Sequence, residues 1–132
     1  MRTIGEYMSR CPATIDCCQS LAEATELMQD RGIHHLPVVD RGRLVGVLSE
    51  RDVLRLESRK GVDPEVLPVG EAMSPDPLTV RPTDSLAEVA LRMAEKNYGS
   101  VLVVDGGALA GVFTASDALR ALASLLGRAR PA

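Results

Sequence analysis

The sequence predicts an α/β (α+β) fold built from two tandem β-α-β-β-α repeats related by a pseudo-two-fold axis, with sheets packed by helices. Three observations predict it. Ile4–Arg55 and Val69–Arg120 align without a gap at a constant offset of 65 residues, and about twenty of the roughly fifty pairs are identical. Within each copy, short apolar runs alternate with a segment whose apolar residues recur at helical spacing. Hydrophobic residues make up 45% of the chain and aromatics 2%, so the core is Val, Leu, Ile, Ala and Met, which suits close packing of helix on sheet. Two copies without a third point to a paired module, not a solenoid. A unit of about 60 residues buries little apolar surface alone, so the copies are expected to share one core and form one structural module.

Each copy opens with a short segment, Thr3–Met8 or Val69–Met73, and Thr3-Ile4-Gly5-Glu6 has the Ser/Thr-x-x-Glu form of a capping box. A proline-containing stretch leads to a brief strand at Thr14-Ile15 or Leu78-Thr79-Val80. Ser20-Leu21-Ala22-Glu23 is a second capping box and starts a helix to about Arg31, with Leu21, Ala24 and Met28 on one face. Gly32 and Asn97 stand where a left-handed C-cap is needed. A hairpin follows in each copy: His35–Val39 with Leu44–Ser49, and Val101–Val104 with Leu109–Thr114, turned by Asp40–Arg43 and Asp105–Ala108. A last helix runs from about Glu50 to Leu56 and from Ala115 to Leu126. Charge, Gly61, Pro64 and Pro68 mark Glu57–Pro68 as a linker.

Two helices of the second copy carry more apolar residues than one core face uses. Leu86, Val89, Ala90 and Met93 form one stripe, and Ala87, Leu91 and Ala94 form another. The last helix is apolar nearly all round, through Ala118, Leu119, Ala121, Leu122, Ala123, Leu125 and Leu126. Such faces need cover, and a second copy of the chain is the simplest one, so a homodimer is expected.

A net charge of −3 supplies no basic field for a phosphate backbone, and 2% aromatics supply no stacking platform. Nucleic acid is therefore an unlikely partner. Arg128 and Arg130 read as a solvated end. No apolar run reaches membrane-spanning length, and Arg2, Glu6 and Arg10 occupy the place of a signal-peptide core. A soluble, cytoplasmic protein without a membrane partner is expected. Cys11, Cys17 and Cys18 are odd in number and lack CxxC spacing, so they read as reduced thiols.

The chemistry-bearing motif is Gly-h-h-[Ser/Thr]-x-x-Asp, where h is apolar. It occurs as Gly46-Val47-Leu48-Ser49-Glu50-Arg51-Asp52 and as Gly111-Val112-Phe113-Thr114-Ala115-Ser116-Asp117. A strand ends at the hydroxyl residue and a helix begins there. Unpaired N–H groups and partial positive charge at a helix N-terminus seat a phosphate. Asp52 or Asp117 repels a phosphate but accepts both hydrogen bonds of a ribose diol, roughly 1.5–3 kcal/mol each. The same spacing also describes a plain N-cap, hydroxyl over the N3 amide and acid in the first turn. Both readings stand at this stage.

His34-His35 opens the second strand, where adjacent side chains point to opposite faces. No third and fourth ligand at metal spacing accompanies them, so no metal is expected. Nucleophile–base pairs, a GxxxxGK[ST] loop and a GxGxxG turn are missing from the sequence, and the chain is read as a non-enzyme.

On His35-Leu36-Pro37-Val38-Val39-Asp40, the two Gly-h-h-[Ser/Thr]-x-x-Asp motifs, and the Met8-Ser9 and Met73-Ser74 pairs, the chain resembles a tandem pair of CBS domains, named after cystathionine β-synthase. The resemblance spans about Ile4–Arg120 and puts the domains at 8–65 and 73–130. It implies a stand-alone regulatory module that binds AMP, ADP, ATP or S-adenosylmethionine, requires no cofactor and modulates an unidentified partner protein. The alternative is a ligand-free dimerisation module. By resemblance, Ser49, Arg51, Asp52, Thr114, Ser116 and Asp117 meet phosphate and ribose. Thr14, Ile15, Ile33, Pro37, Thr79, Val80, Tyr98, Gly99 and Ser100 belong to the strand segments that the resemblance places along the ligand. His34 and His35 stand where the family often has basic residues that reach ligand phosphates; one surface histidine and one packed histidine is the alternative. Gly99-Ser100 replace the two histidines in the second copy, Leu102 replaces Pro37 and Ser116 replaces Arg51. The two sites are therefore expected to be unequal.

Overall fold

The computed structural model describes residues 1–10 and 12–127; Cys11, Arg128 and Arg130 lie outside the described residues. In chain order the elements are a 3-10 turn (Ile4–Glu6), β1 (Ser9–Arg10), β2 (Ile15–Asp16), α1 (Leu21–Arg31), β3 (His35–Asp40), β4 (Arg43–Ser49), α2 (Glu50–Glu57), α3 (Val69–Ala72), β5 (Ser74–Pro75), β6 (Thr79–Val80), α4 (Leu86–Lys96), β7 (Ser100–Asp105), β8 (Ala108–Thr114) and α5 (Ala115–Leu125). The repeated strand–helix–strand–strand–helix order is that expected from the sequence.

The chain folds into two compact units that do not follow the repeat boundaries. One is Pro12–Pro77. The other joins the described residues of Met1–Cys11 to those of Leu78–Ala132. In the first unit the sheet order is β2-β3-β4-β5, with β2 parallel to β3 and the other pairs antiparallel. In the second it is β1-β8-β7-β6, with β6 parallel to β7. The opening segment of each sequence copy thus completes the sheet of the other copy. The two-residue strands β1 and β5 are too short to leave a period-2 signal; the repeated Met-Ser pairs mark their places without identifying them as strands.

A glycine admits each added strand. A Cβ on Gly111 would lie 2.5 Å from the Ser9 carbonyl oxygen and 2.8 Å from Met8 Sδ. One on Gly46 would lie 2.5 Å from Met73 Sδ and 2.8 Å from the Ser74 carbonyl oxygen. The Met-Ser pairs are where these strands dock, which explains their repetition. The hairpins turn through Arg41-Gly42 and Gly106-Gly107, all at positive φ, as a two-residue turn matched to strand twist requires.

The expectation of one shared core is corrected. Among the described residues, the buried apolar residues form two clusters. Ile15, Leu21, Ala24, Met28, Leu36, Val38 and Leu48 are in the first unit, and Ile4, Val80, Leu86, Val89, Met93, Val101, Val103 and Phe113 are in the second. Each unit, with four strands of which one is borrowed, has its own cluster.

The helices begin and end as their sequences specify. Ser20 Oγ accepts the Glu23 N–H at 3.1 Å, and the Glu23 carboxylate accepts the Ser20 N–H at 3.1 Å. That backbone donor, then the Gln19 and Ser20 side chains, hold the Glu23 carboxyl below its usual value. Gly32 and Asn97 close α1 and α4 in the left-handed conformation. On α4, Leu86, Val89 and Met93 are buried, while Leu91 is 59% exposed. On α5, Ala121 is buried, and Leu119, Leu122 and Leu125 are exposed. Among the described residues, no helix is long and apolar enough to cross a membrane.

Candidate ligand-binding site

In each unit the hairpin brings the motif together. His35 pairs with Ser49 across β3 and β4, and Ser100 pairs with Thr114 across β7 and β8. One residue on, the Glu50 N–H donates to the His34 carbonyl at 2.9 Å, and the Ala115 N–H donates to the Gly99 carbonyl at 2.9 Å. The start of the second strand is thereby fixed to the start of the last helix. Four hairpin positions and the helix N-terminus occupy one end of each sheet.

Both acids are buried at that point: Asp52 is 4% exposed and Asp117 is 5% exposed. Asp52 Oδ2 accepts the Ser49 N–H at 2.9 Å, while the Asp52 N–H donates to Ser49 Oγ at 3.0 Å. Asp117 Oδ2 accepts the Thr114 N–H at 2.9 Å and the Thr114 hydroxyl at 3.1 Å, and the Asp117 N–H donates to Thr114 Oγ1 at 3.2 Å. The capping geometry is therefore built in both copies, with the acid as well as the hydroxyl taking part.

The other carboxylate oxygen meets an arginine one turn on. Arg55 donates to Asp52 Oδ1 at 3.2 Å, and Arg120 donates to Asp117 Oδ1 at 2.6 Å. Both arginine side chains remain more than half exposed. The Ser74 hydroxyl donates to both Asp52 oxygens at 3.4 Å. The sequence reading missed these arginines. The signal was present: Asp-x-x-Arg recurs at the same offset, and Arg55 and Arg120 are one of the identical pairs. The second copy, read as lacking cations at motif positions, thus carries one beside its acid.

His34 is largely exposed, and its Nδ1 lies 2.8 Å from Glu50 Oε2. His35 is half-buried, and Arg51 and Ser116 are exposed in the first turns of their helices. Ile15 pairs with Val38, one residue past the buried Pro37; Ile33 is half-buried and Thr14 exposed. In the other unit Thr79 and Val80 pair with Leu102 and Val103, two and three residues past Ser100, and Tyr98 and Gly99 are exposed. Thr79 and Val80 also line a shallow groove of about 410 Å³ with Arg81, Asp84 and the Gly106-Gly107 turn. That groove lies at the hairpin end of the sheet. Ser100, Thr114 and Asp117 gather at the opposite end and do not line it.

Chemically, each motif end offers helix N–H groups, a hydroxyl, a buried carboxylate and an adjacent cation. Such a set suits a ligand bearing both a diol and an anionic group. Among the described residues, no buried side-chain polar atom lacks a partner, so a ligand binding here has to exchange existing hydrogen bonds.

Comparison with known proteins identifies the fold's family. The family model for the CBS domain matches twice, at residues 4–59 and 69–124. The chain is 30% identical over 117 residues to the CBS domain-containing protein YhcV of Bacillus subtilis, covering 89% of this chain and 83% of that one. Of the homoserine O-acetyltransferase of Methanohalophilus mahii, 31% identical in the matched part, the chain spans 24%. The crystal structure of CBSX2 in complex with AMP superposes with a TM-score of 0.81 at 30% identity, covering 96% of this chain and 99% of that one. The CBS domain pair of protein MJ0100, in complex with 5′-methylthioadenosine and S-adenosyl-L-methionine, gives 0.85 at 25% identity, covering 95% and 98%. The repeat, the two sheets and these matches agree: the chain belongs to the CBS-domain family and carries two copies of the domain.

Proposed function

We propose that the chain is a regulatory module that binds an adenosine-type ligand, AMP, ADP, ATP or S-adenosylmethionine, and transmits occupancy to a partner protein as a homodimer. The observation that carries this reading is the duplicated, buried aspartate at a helix N-terminus. Asp52 and Asp117 sit beside a hydroxyl, a strand start and an arginine, in a chain whose relatives include pairs bound to AMP and to S-adenosyl-L-methionine. In this reading Asp52 and Asp117 take the ribose diol. Ser49 and Thr114, with the helix N–H groups, take the phosphate end, joined by Arg51 and Ser116. Thr14-Ile15 and Ile33–Pro37, and Thr79-Val80 and Tyr98–Ser100, form the walls for the base. The role is binding and regulation, not catalysis.

A thermal-shift screen with the four ligands tests it. A ligand at 100 times its Kd stabilises by about 2.7 kcal/mol, a shift well above noise. Equilibrium dialysis then gives the affinity. No response to any of the four ligands in either assay overturns the reading.

A second reading is favoured by a separate observation. Leu91, Leu119, Leu122 and Leu125 are exposed on α4 and α5, as suits a module whose role is dimerisation alone. Dimer formation without nucleotide binding is its signature.

A further inference from the structure

We propose that Asp16, Cys17 and Cys18 form a binding site for one thiophilic divalent cation of the zinc type. The three residues follow one another at the end of β2, where the chain leaves extended conformation and turns. On a strand, adjacent side chains diverge to opposite faces. Here the turn gathers them: one Asp16 carboxylate oxygen and the two Sγ atoms all lie within 4.8 Å of one another. Asp16 and Cys17 are half-buried and Cys18 is exposed, so an ion can enter from solvent.

The backbone beneath these donors is fixed from several sides. The Cys17 N–H donates to the Val39 carbonyl at 2.9 Å, and the Cys17 carbonyl accepts the Gly70 N–H at 2.9 Å. The Cys18 N–H donates to Asp16 Oδ1 at 2.9 Å, the Asp16 N–H to Gln19 Oε1 at 3.0 Å, and the Gln19 N–H to the Asp16 carbonyl at 3.0 Å. A Cβ on Gly70 would lie 3.3 Å from the Cys17 carbonyl oxygen and 3.4 Å from Cys17 Cβ, so α3 packs directly behind the turn. Capture of an ion thus needs side-chain rotation about fixed Cα positions, with no refolding of the loop.

The donor set selects the ion. Two sulfurs exclude magnesium and calcium, which take oxygen ligands, whereas sulfur with one carboxylate suits zinc or cadmium. Three protein donors leave the fourth tetrahedral position to solvent. Two S–H bonds give way to two metal–sulfur bonds, and two protons pass to solvent without redox change. A disulfide between the same thiols is the less favourable use of them. Adjacent Cα atoms across a trans peptide are about 3.8 Å apart, below the roughly 4.4–6.8 Å that an unstrained disulfide spans.

The test uses the full chain carrying Cys11→Ser, so that Cys17 and Cys18 are the remaining thiols. Titration with Cd2+ should raise a sulfur-to-metal charge-transfer band that saturates at one equivalent. Zn2+ competing against a chromogenic chelator should bind with the same stoichiometry, and Mg2+ should not compete. Cys17→Ser and Cys18→Ser should each weaken Zn2+ by more than about tenfold, since even an outer-shell partner is worth that much. Asp16→Asn should weaken Zn2+ while leaving the cadmium–thiolate band. Circular dichroism checks that the variants fold. If they do not, protection of Cys17 and Cys18 from alkylation by Zn2+ is read on the parent by mass spectrometry. Absence of the band in the parent, unchanged Zn2+ affinity without both thiols, or unprotected thiols at saturating Zn2+ would each overturn the proposal.

Discussion

Arg120 holds Asp117 from the side opposite its capping bonds: the guanidinium reaches Oδ1 at 2.6 Å while Oδ2 takes the Thr114 N–H and hydroxyl. The two halves of the carboxylate therefore have different energetic weight. The Arg120 side chain is 67% exposed and its ion pair is screened, so Arg120→Ala should cost under about 1 kcal/mol. Asp117→Ala removes the acceptor of a part-buried N–H and should cost about 1–3 kcal/mol. Urea unfolding of both variants measures the difference. Equal costs would mean that the ion pair, and not the cap, is the larger contribution.

The ligand reading makes a separate demand on the same acids. A ribose diol has to take over carboxylate lone pairs that Arg55, Arg120 and the caps now use. Asp52→Ala and Asp117→Ala should each weaken a nucleoside ligand in its own site by roughly 1.5–3 kcal/mol per hydrogen bond lost. Isothermal calorimetry with adenosine and AMP checks this. Wild-type affinity in both variants would remove the ribose assignment.

Gly111 and Gly46 set the entry of the borrowed strands. Because the obstructing atoms opposite Gly111 include the Ser9 carbonyl, 2.5 Å from a built Cβ, a side chain there has to displace backbone. Gly111→Val should destabilise by at least about 1–3 kcal/mol, the range for overpacking a close contact. Gly46→Val should behave alike against Ser74. A shift in denaturation midpoint of either variant below measurement error would mean that β1 or β5 contributes little to its sheet.

These glycines also mark how far the sequence could be read. Repeat offset, capping boxes, the Gly32 and Asn97 caps and the hairpin turns are local features, and the elements follow them to within a residue or two. The exchange of opening strands between the copies is a long-range pairing of two residues each. Met8-Ser9 and Met73-Ser74 were visible as repeats, but repetition does not say which copy a segment packs on. The arginines escaped for another reason. The motif ends at Asp52 and Asp117, whereas Arg55 and Arg120 lie one turn on, where i,i+3 neighbours meet. One shared core is expected from the size of a repeat; the exchange leaves each unit about one repeat long, yet each has its own buried cluster.

The cap of α1 supplies a pH prediction. Glu23 has its carboxyl lowered from 4.5 by the Ser20 N–H, the Gln19 side chain and the Ser20 hydroxyl. A depressed carboxyl contributes stability above its unfolded value, and that contribution is lost as pH falls through the folded value. Thermal unfolding followed below pH 4.5 should therefore show a smaller acid dependence in Glu23→Gln than in the parent. Near neutral pH the two should differ little, because glutamine still completes the capping box. Identical acid profiles would show that the charge on Glu23 is not what stabilises the cap.

The exposed leucines of α4 and α5 give the prediction for assembly. Leu91 is 59% exposed and Leu122 is 53% exposed, on helices whose other faces are already buried. Leu91→Glu or Leu122→Glu places a charge where an apolar partner surface is proposed, and should shift a dimer toward monomer. Sedimentation velocity of the parent and variants at tens of micromolar decides it. A monomeric parent would end the dimer proposal.

The last prediction concerns the phosphate end of the ligand. His34, His35 and Arg51 all belong to the first copy, where the second has Gly99, Ser100 and Ser116. Arg55 and Arg120, being matched, give both copies a cation at the acid and leave this difference standing. A polyphosphate depends on such charge more than adenosine does, so the double change His34→Ala with His35→Ala should weaken ATP and ADP more than adenosine. His34 Nδ1 now faces Glu50 at 2.8 Å, and that carboxylate competes with a phosphate for the ring. Glu50→Gln should accordingly favour the phosphorylated ligands, with little effect on adenosine. Arg51→Ala should act in the same direction as the histidine changes. Parallel titrations with adenosine, AMP and ATP on these variants separate the effects. Equal losses for all three ligands would remove the histidines from phosphate recognition.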